Sequence, residues 1–262
     1  MPADRPVTLY CFAHAGAGTD CFRRWPDTAG TDVEIVPLAL PGRGIRRREA
    51  RITDRDGLVG AFLDVFRQHR PEQGPFALYG HSLGGLVAYT LARVLADKGL
   101  PKPAFVGLGA IPSPDGPPAL MDAADAPDDR LVALLTDLGL APDDPATAPG
   151  GVWHRVVLPV LRDDLKLAAA LRASAVDPAT GGPLDVPLLV LGGADDAVAP
   201  PGNLAGWQRW STAPVVSRTV AGDHFFVRER QTPRIVGRAC RVARRLASPA
   251  PPPVRTTVRN SR

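Results

Sequence analysis

Cysteine is scarce in this 262-residue chain. The three present, Cys11, Cys21 and Cys240, are odd in number and scattered, so no disulfide framework is expected. No group of His, Cys and Asp has zinc spacing. No apolar run reaches the length of a membrane span, and the N-terminus lacks a basic region followed by an apolar stretch. A cytoplasmic protein with no membrane partner is therefore expected. A dinucleotide-binding loop is begun by Gly16-x-Gly18, but Cys21 stands where its third glycine belongs. No acid ends a second strand about 20 residues further on. Lysine is rare too, with only Lys98, Lys102 and Lys166 among 31 basic residues, which reads as GC-rich coding.

What remains is ordinary for a globular protein, at 45% hydrophobic and 22% charged residues. The formal charge of +4 owes much to Arg255, Arg259 and Arg262. These lie in a Pro-rich segment, 247–262, which reads as a disordered tail or an appended remnant. Without them the balance is 28 basic against 27 acidic residues, so nucleic-acid binding has little support. Residues 1–246 fit one α/β domain with an insertion. A monomer is expected.

Strand and helix patterns alternate, which predicts a mostly parallel sheet covered on both faces. Strands are expected near 7–12, 33–38, 76–80, 104–111, 186–192 and 214–221. Helices are expected near 54–68, 82–98, 200–210 and 232–246. From Pro112 to about Val176 the alternation breaks. A Pro-rich linker opens this stretch, and two helical patterns follow, 128–138 and 152–173. Pro159 should kink or divide the second. A lid over an active site is the functional reading of 112–176, and extra packing on the sheet is the plain one.

The chemistry is carried by Gly80-His81-Ser82-Leu83-Gly84. This is a G-x-S-x-G nucleophile elbow between an apolar strand pattern, 76–79, and a helical one, 82–98. A hydroxyl nucleophile needs a base, and the base needs an orienting acid. In such folds they follow in the order Ser, Asp, His. His224 sits in a late loop, Gly222-Asp223-His224-Phe225-Phe226, after a strand pattern. The acid is Asp195 or Asp196, at the end of the strand before, with Asp223 a weaker third choice. An oxyanion hole would take the N–H of Leu83 and one from the loop after the first strand, Ala15 first and Gly16 second.

These features together resemble the type II thioesterases, stand-alone α/β-hydrolases serving polyketide and nonribosomal peptide assembly lines. The resemblance rests on Cys11-Phe12-Ala13-His14-Ala15-Gly16 with Phe22 and Trp25, on Leu40-Pro41-Gly42-Arg43 with Arg46, and on the elbow through Gly85. It rests also on Leu161-Arg162-Asp163-Asp164, on Trp207 and Trp210, and on the histidine loop. Asp163 replaces a usual alanine, and Leu171 stands near where many members carry a tyrosine. The resemblance implies an α/β-hydrolase fold, nucleophile Ser82, base His224 and, from a Gly-x-x-Asp pattern, acid Asp196. It implies hydrolysis of acyl groups from the phosphopantetheine arm of an acyl or peptidyl carrier protein, with no metal or nucleotide cofactor. The arm belongs to the substrate. The rivals are a small-molecule esterase or lipase of the same fold and a non-catalytic binding protein. Five arginines between Arg43 and Arg51 suggest docking of an acidic carrier, although Arg43 could instead brace its loop.

Overall fold

A computed structural model of the protein describes residues 5–69, 74–117, 120–141, 150–180 and 183–247. The expected tail lies outside the described residues except for Ala247, which ends a helix. Six strands form one sheet: β1 (Val7–Phe12), β2 (Val33–Pro37), β3 (Phe76–His81), β4 (Val106–Gly109), β5 (Leu188–Gly193) and β6 (Val215–Val220). Their order is β2-β1-β3-β4-β5-β6, and every pairing is parallel.

Side chains alternate across the strands, so each strand feeds two cores. Tyr10, Phe12, Phe76, Leu78, Leu188 and Val190 face one core. Helices α2 (Arg55–Arg67) and α3 (Leu83–Asp97) cover it. Leu9, Cys11, Ala77, Tyr79, Leu189 and Leu191 face the other. There the short α1 (Pro26–Ala29) and α6 (Gln231–Ala247) cover them. Helix α2 begins where Asp54 accepts the Gly57 N–H at 2.8 Å, a side-chain cap. Helix α3 is apolar nearly all round and is buried nearly all round. No helix is long and apolar enough to cross a membrane among the described residues.

One element differs from the sequence expectation. Residues 201–210 form a run of tight 3-10 turns instead of an α-helix. The run packs closely on the linker after β4, where a Cβ on Gly206 would strike Ser113 Oγ. It delivers two tryptophans to that linker. Trp207 Nε1 donates to Ile111 O at 2.9 Å, and Trp210 Nε1 to Asp115 Oδ1 at 3.0 Å.

At Pro159, of the two expected outcomes, kink or division, division does not occur. Helix α5 runs from Val152 to Val176 through it. Proline inside a helix costs about 3 kcal/mol. Burial of Leu158, Leu161 and Leu165 around it offsets that cost. These three pack on α4 (Asp128–Asp137) through Leu131 and Leu135, in a third, separate apolar cluster. The second half of α5 behaves otherwise. Leu167, Ala168, Leu171 and Ala175 belong to the main core under α3. Half of this long helix is therefore core packing, and half is a cover.

That division gives a test. Leu171 is fully buried in the main core. Leu171→Ala should lower unfolding free energy by about 2–5 kcal/mol in urea titrations, while leaving any preference for substrate length unchanged.

Candidate active site

Ser82 sits where β3 turns into α3, with φ 54° and ψ −119°. A non-glycine residue rarely holds that conformation, and such strain marks functional turns. The turn closes because a Cβ on Gly80 would strike Gly84 O, and one on Gly84 would strike Phe12 O. Two glycines therefore let strand, turn and helix touch backbone to backbone. Ser82 N–H donates to Gly109 O at 2.7 Å, tying the elbow to β4. Ser82 is the N-cap of α3, so the helix dipole favours negative charge beside it.

His224 and Asp196 meet across the ends of β5 and β6. His224 Nδ1 lies 3.0 Å from each oxygen of the Asp196 carboxylate. Both side chains are buried, and Asp196 Oδ1 also accepts the N–H groups of Val198 and Ala199 at 2.9 Å. Burial alone would raise the Asp196 pKa. The hydrogen bond and charge of His224, with those two N–H groups, outweigh it and hold the carboxylate below its ordinary range. Asp195 is exposed, and Asp223 turns its Oδ1 to the Phe225 N–H at 2.7 Å. Neither faces the histidine ring.

His81, inside the elbow, links the two halves. Its Nε2 donates to His224 O at 2.6 Å, and Tyr79 Oη lies 3.3 Å from its Nδ1. Burial keeps His81 well below the ordinary histidine pKa, so the ring is neutral and single-donor. The residue before Ser82 thus fixes the backbone of His224. No hydrogen bond joins Ser82 Oγ to the His224 ring among the described residues. Catalytic hydrogen bonds often form only once substrate binds.

A cavity of about 40 Å³ opens beside Ser82, lined by Ala15, Leu83, Ala110, Leu165 and Val198 among others. Ala15 and Leu83 thus border it together with the serine. The Ala15 N–H has no acceptor among the described residues. The Gly16 N–H is already committed, at 2.7 Å, to Asp164 Oδ2. Of the two expected donors, that leaves Ala15 free. At roughly 10–15 Å³ per water-sized sphere, the cavity holds only a few such spheres. Leu165 reaches it from α5, so the cover limits its size.

The arginines after β2 are mostly spoken for. Arg43 makes a two-pronged ion pair with Asp164. Arg46 binds Glu49 and Ala39 O and lies over the Phe62 ring. Arg51 binds Asp163 at 2.5 Å. Of these five arginines, Arg47 and Arg48 make no ion pair among the described residues. His14, His81, Tyr79 and Asp164 carry site roles that spacing alone did not assign. The resemblance had marked Asp164 by its motif but not its partner.

A family model for the thioesterase domain matches residues 7–241. Thioesterase PikA5 of Streptomyces venezuelae is 29% identical over 235 residues, covering 86% of this chain and 76% of its own. The solved RedJ thioesterase, from the prodiginine biosynthetic pathway of Streptomyces coelicolor, is 31% identical. It aligns with a TM-score of 0.75 over 91% of this chain and 87% of its own. The type II thioesterase BorB, from the borrelidin biosynthetic cluster, is 25% identical, with a TM-score of 0.70 over 92% and 95%. The sheet and its helices are thus those of the α/β-hydrolase fold that these enzymes share.

His14 yields a pH test. Burial lowers its pKa to about 4, although its hydrogen bond with Ala15 O acts the other way. As pH falls through 6.5 the unfolded chain takes up this proton first, so stability is lost between pH 6.5 and about 4. The full loss is about 3 kcal/mol for this group. His14→Gln should show a flatter stability–pH curve over that range in chemical denaturation.

Proposed function

The chain belongs to the thioesterase domain family, and we propose that it removes acyl groups from the phosphopantetheine arm of carrier proteins. Its task would be editing, the release of acyl groups that stall a polyketide or nonribosomal peptide assembly line. It would do so in the cytoplasm, beside its carrier. The observation that carries this reading is a buried Asp196–His224 pair whose histidine backbone is bonded to the elbow through His81, with the elbow serine bordering a cavity that α5 helps to line. Family membership over nearly the whole chain supports it.

In this reading Ser82 Oγ attacks the thioester carbonyl, and its proton passes to His224 Nε2. Asp196 accepts the Nδ1–H, which fixes the tautomer and stabilises the imidazolium. The oxyanion is received by the Leu83 and Ala15 N–H groups, and by the dipole of α3. The arm leaves as a thiol, protonated by His224. Water, with His224 as base, then hydrolyses the acyl–Ser82 ester. No step asks for a metal or a nucleotide. Acyl chains longer than the small cavity would need the front of the cover, α4 and the first half of α5, to lift.

Ser82→Ala should abolish hydrolysis of an acyl-carrier substrate, a loss on the order of 10⁶ in kcat, and should end labelling by a fluorophosphonate. Asp196→Asn should cost on the order of 10⁴, with Asp195→Asn far milder. Full activity in Ser82→Ala, read by intact mass of the carrier, would sink the proposal.

The carrier's docking face moves with the arginine geometry. Arg23, Arg24 and Arg228 surround a recess of about 290 Å³ with Asp20 and Cys21. None of the three makes an ion pair among the described residues. Arg228 lies over the Phe225 ring, and that ring packs against both His14 and His224. Unpaired positive charge beside the site suits an acidic, phosphate-bearing partner. Glutamate at Arg23, Arg24 and Arg228 should lower kcat/KM for acyl-carrier substrate on the order of tenfold at low salt. A small acyl thioester should be turned over as by wild type. Equal handling of both substrates would assign docking elsewhere.

A further inference from the structure

We infer that Arg43 and Asp164 are positioning residues for the oxyanion hole: a carboxylate on the cover helix, clamped by an arginine, orients the loop that carries the Ala15 N–H. The inference rests on the reading of Ser82 as nucleophile.

Asp164 is fully buried on α5, and the Arg43 side chain is only 9% exposed. Arg43 Nη1 donates to Asp164 Oδ2 at 2.6 Å, while Nη2 bonds Oδ1. Asp164 Oδ2 also accepts the Gly16 N–H at 2.7 Å. Arg43 Nη1 reaches Ala17 O at 3.4 Å. The loop after β1 is thus gripped on both sides of the Gly16–Ala17 step. The carbonyl end of the same peptide unit is held as well, because His14 Nδ1 donates to Ala15 O at 3.0 Å. A peptide unit is planar, so holding its C=O and its N–H fixes the whole plane between Ala15 and Gly16. The Ala15 N–H is the next group along, on a residue that borders the cavity beside Ser82.

Stability is a poor explanation of the pair. Burying two charges costs several kcal/mol per ion, and apolar residues of similar size often serve the fold equally well. Arg43 Nε is moreover buried without an acceptor among the described residues, a further cost. What an apolar pair lacks is an acceptor for the Gly16 N–H. Gly16 holds a positive φ of 74°, so the loop has little of its own to resist rotation there.

The pair joins three segments far apart in sequence: the loop after β1, the Pro-Gly-Arg loop after β2, and α5. Its geometry also sets which end of the cover is tied to catalysis. The anchor at Asp164 adjoins Leu165, which lines the cavity. Substrate that displaces Leu165 pulls on the carboxylate that holds the oxyanion donor.

The test uses the full chain and two variants. Arg43→Met with Asp164→Leu removes both charges at similar volume. Its melting temperature should stay near wild type, while kcat on a small acyl thioester falls on the order of 10²–10³ at unchanged KM. Labelling of Ser82 by a fluorophosphonate should slow alongside, because the phosphonyl oxygen uses the same donors. A well-folded double variant with wild-type kcat and labelling rate would reduce the pair to packing and overturn the inference. Should that variant fail to fold, hydrogen exchange on the wild type decides. The Gly16 amide should exchange as slowly as core amides although it lies in a loop, and exchange at loop rates overturns the inference. Loss of the broader reading looks different, since a wild-type protein that neither labels nor cleaves thioesters would refute the thioesterase mechanism itself.

Discussion

One buried carboxylate organises the catalytic end of this protein. Asp164 accepts hydrogen bonds from Arg43 and from the Gly16 backbone, and all of its side chain is withdrawn from water. A charge so placed is tolerated only when each oxygen is satisfied, so the surrounding chain has little freedom. The loop after β1 cannot shift without stranding it. Neither can the arginine loop after β2, nor the middle of α5. The neighbouring residues of the same motif extend the grip. Asp163 holds Arg51, and Arg162 donates to Ala124 O and Ala126 O at 2.6 Å and to Asp128. Three consecutive side chains of one helix thus fasten two loops and the start of α4.

The other half of the site is organised by neutral groups. His81 passes a hydrogen bond from the elbow to the backbone of His224, and its burial keeps it uncharged. That neutrality matters, because a positive ring in contact with His224 would oppose formation of the imidazolium. His14 is depressed for the same reason, and it too lies near His224. Two neutral histidines therefore flank the one whose charge the proposed chemistry requires, and Asp196 supplies the negative partner. Charge on the Ser82 side is carried only by dipoles and N–H groups.

Much of this was legible in the sequence, for identifiable reasons. All six strands lie within two residues of the expected bounds, because central strands of a parallel sheet are short apolar runs flanked by turn residues. The elbow was legible because only glycine fits at positions 80 and 84. The contacts of His224 with Asp196 were foreseeable from chain order and a Gly-x-x-Asp pattern. What was not legible depended on pairing across space. The Pro-Gly-Arg motif set Arg43 apart as a brace for its loop, but nothing local named Asp164 as its partner, while Arg47 close by is exposed. The 3-10 run before β6 has helical spacing, and its contacts with the linker, Trp207 with Ile111 and Gly206 with Ser113, join segments far apart in sequence. The pattern over 152–173 left open whether Pro159 kinks or divides its helix, and burial on both flanks keeps it undivided.

These ties decide which part of the cover has room to move. The linker after β4 is fastened by Trp207 and Trp210, and by Arg172, which donates from α5 to Pro114 O at 2.6 Å and to Gly116 O. The back half of α5 is core, and Asp164 pins its middle. Motion of α5 as one rigid rod would break a buried ion pair and empty part of the main core, each costing several kcal/mol. The front is held more weakly. Its cluster of Ala124, Leu131, Leu135, Leu158, Leu161 and Leu165 is small and separate from the sheet. In the proposed reading, opening would run forward of Leu161, and Pro159 stands at that boundary, where one backbone hydrogen bond is already missing. The proline does not break the helix. It places a weakened turn of α5 between the part tied to the loop after β1 and the part that, in the proposed reading, would make way for substrate.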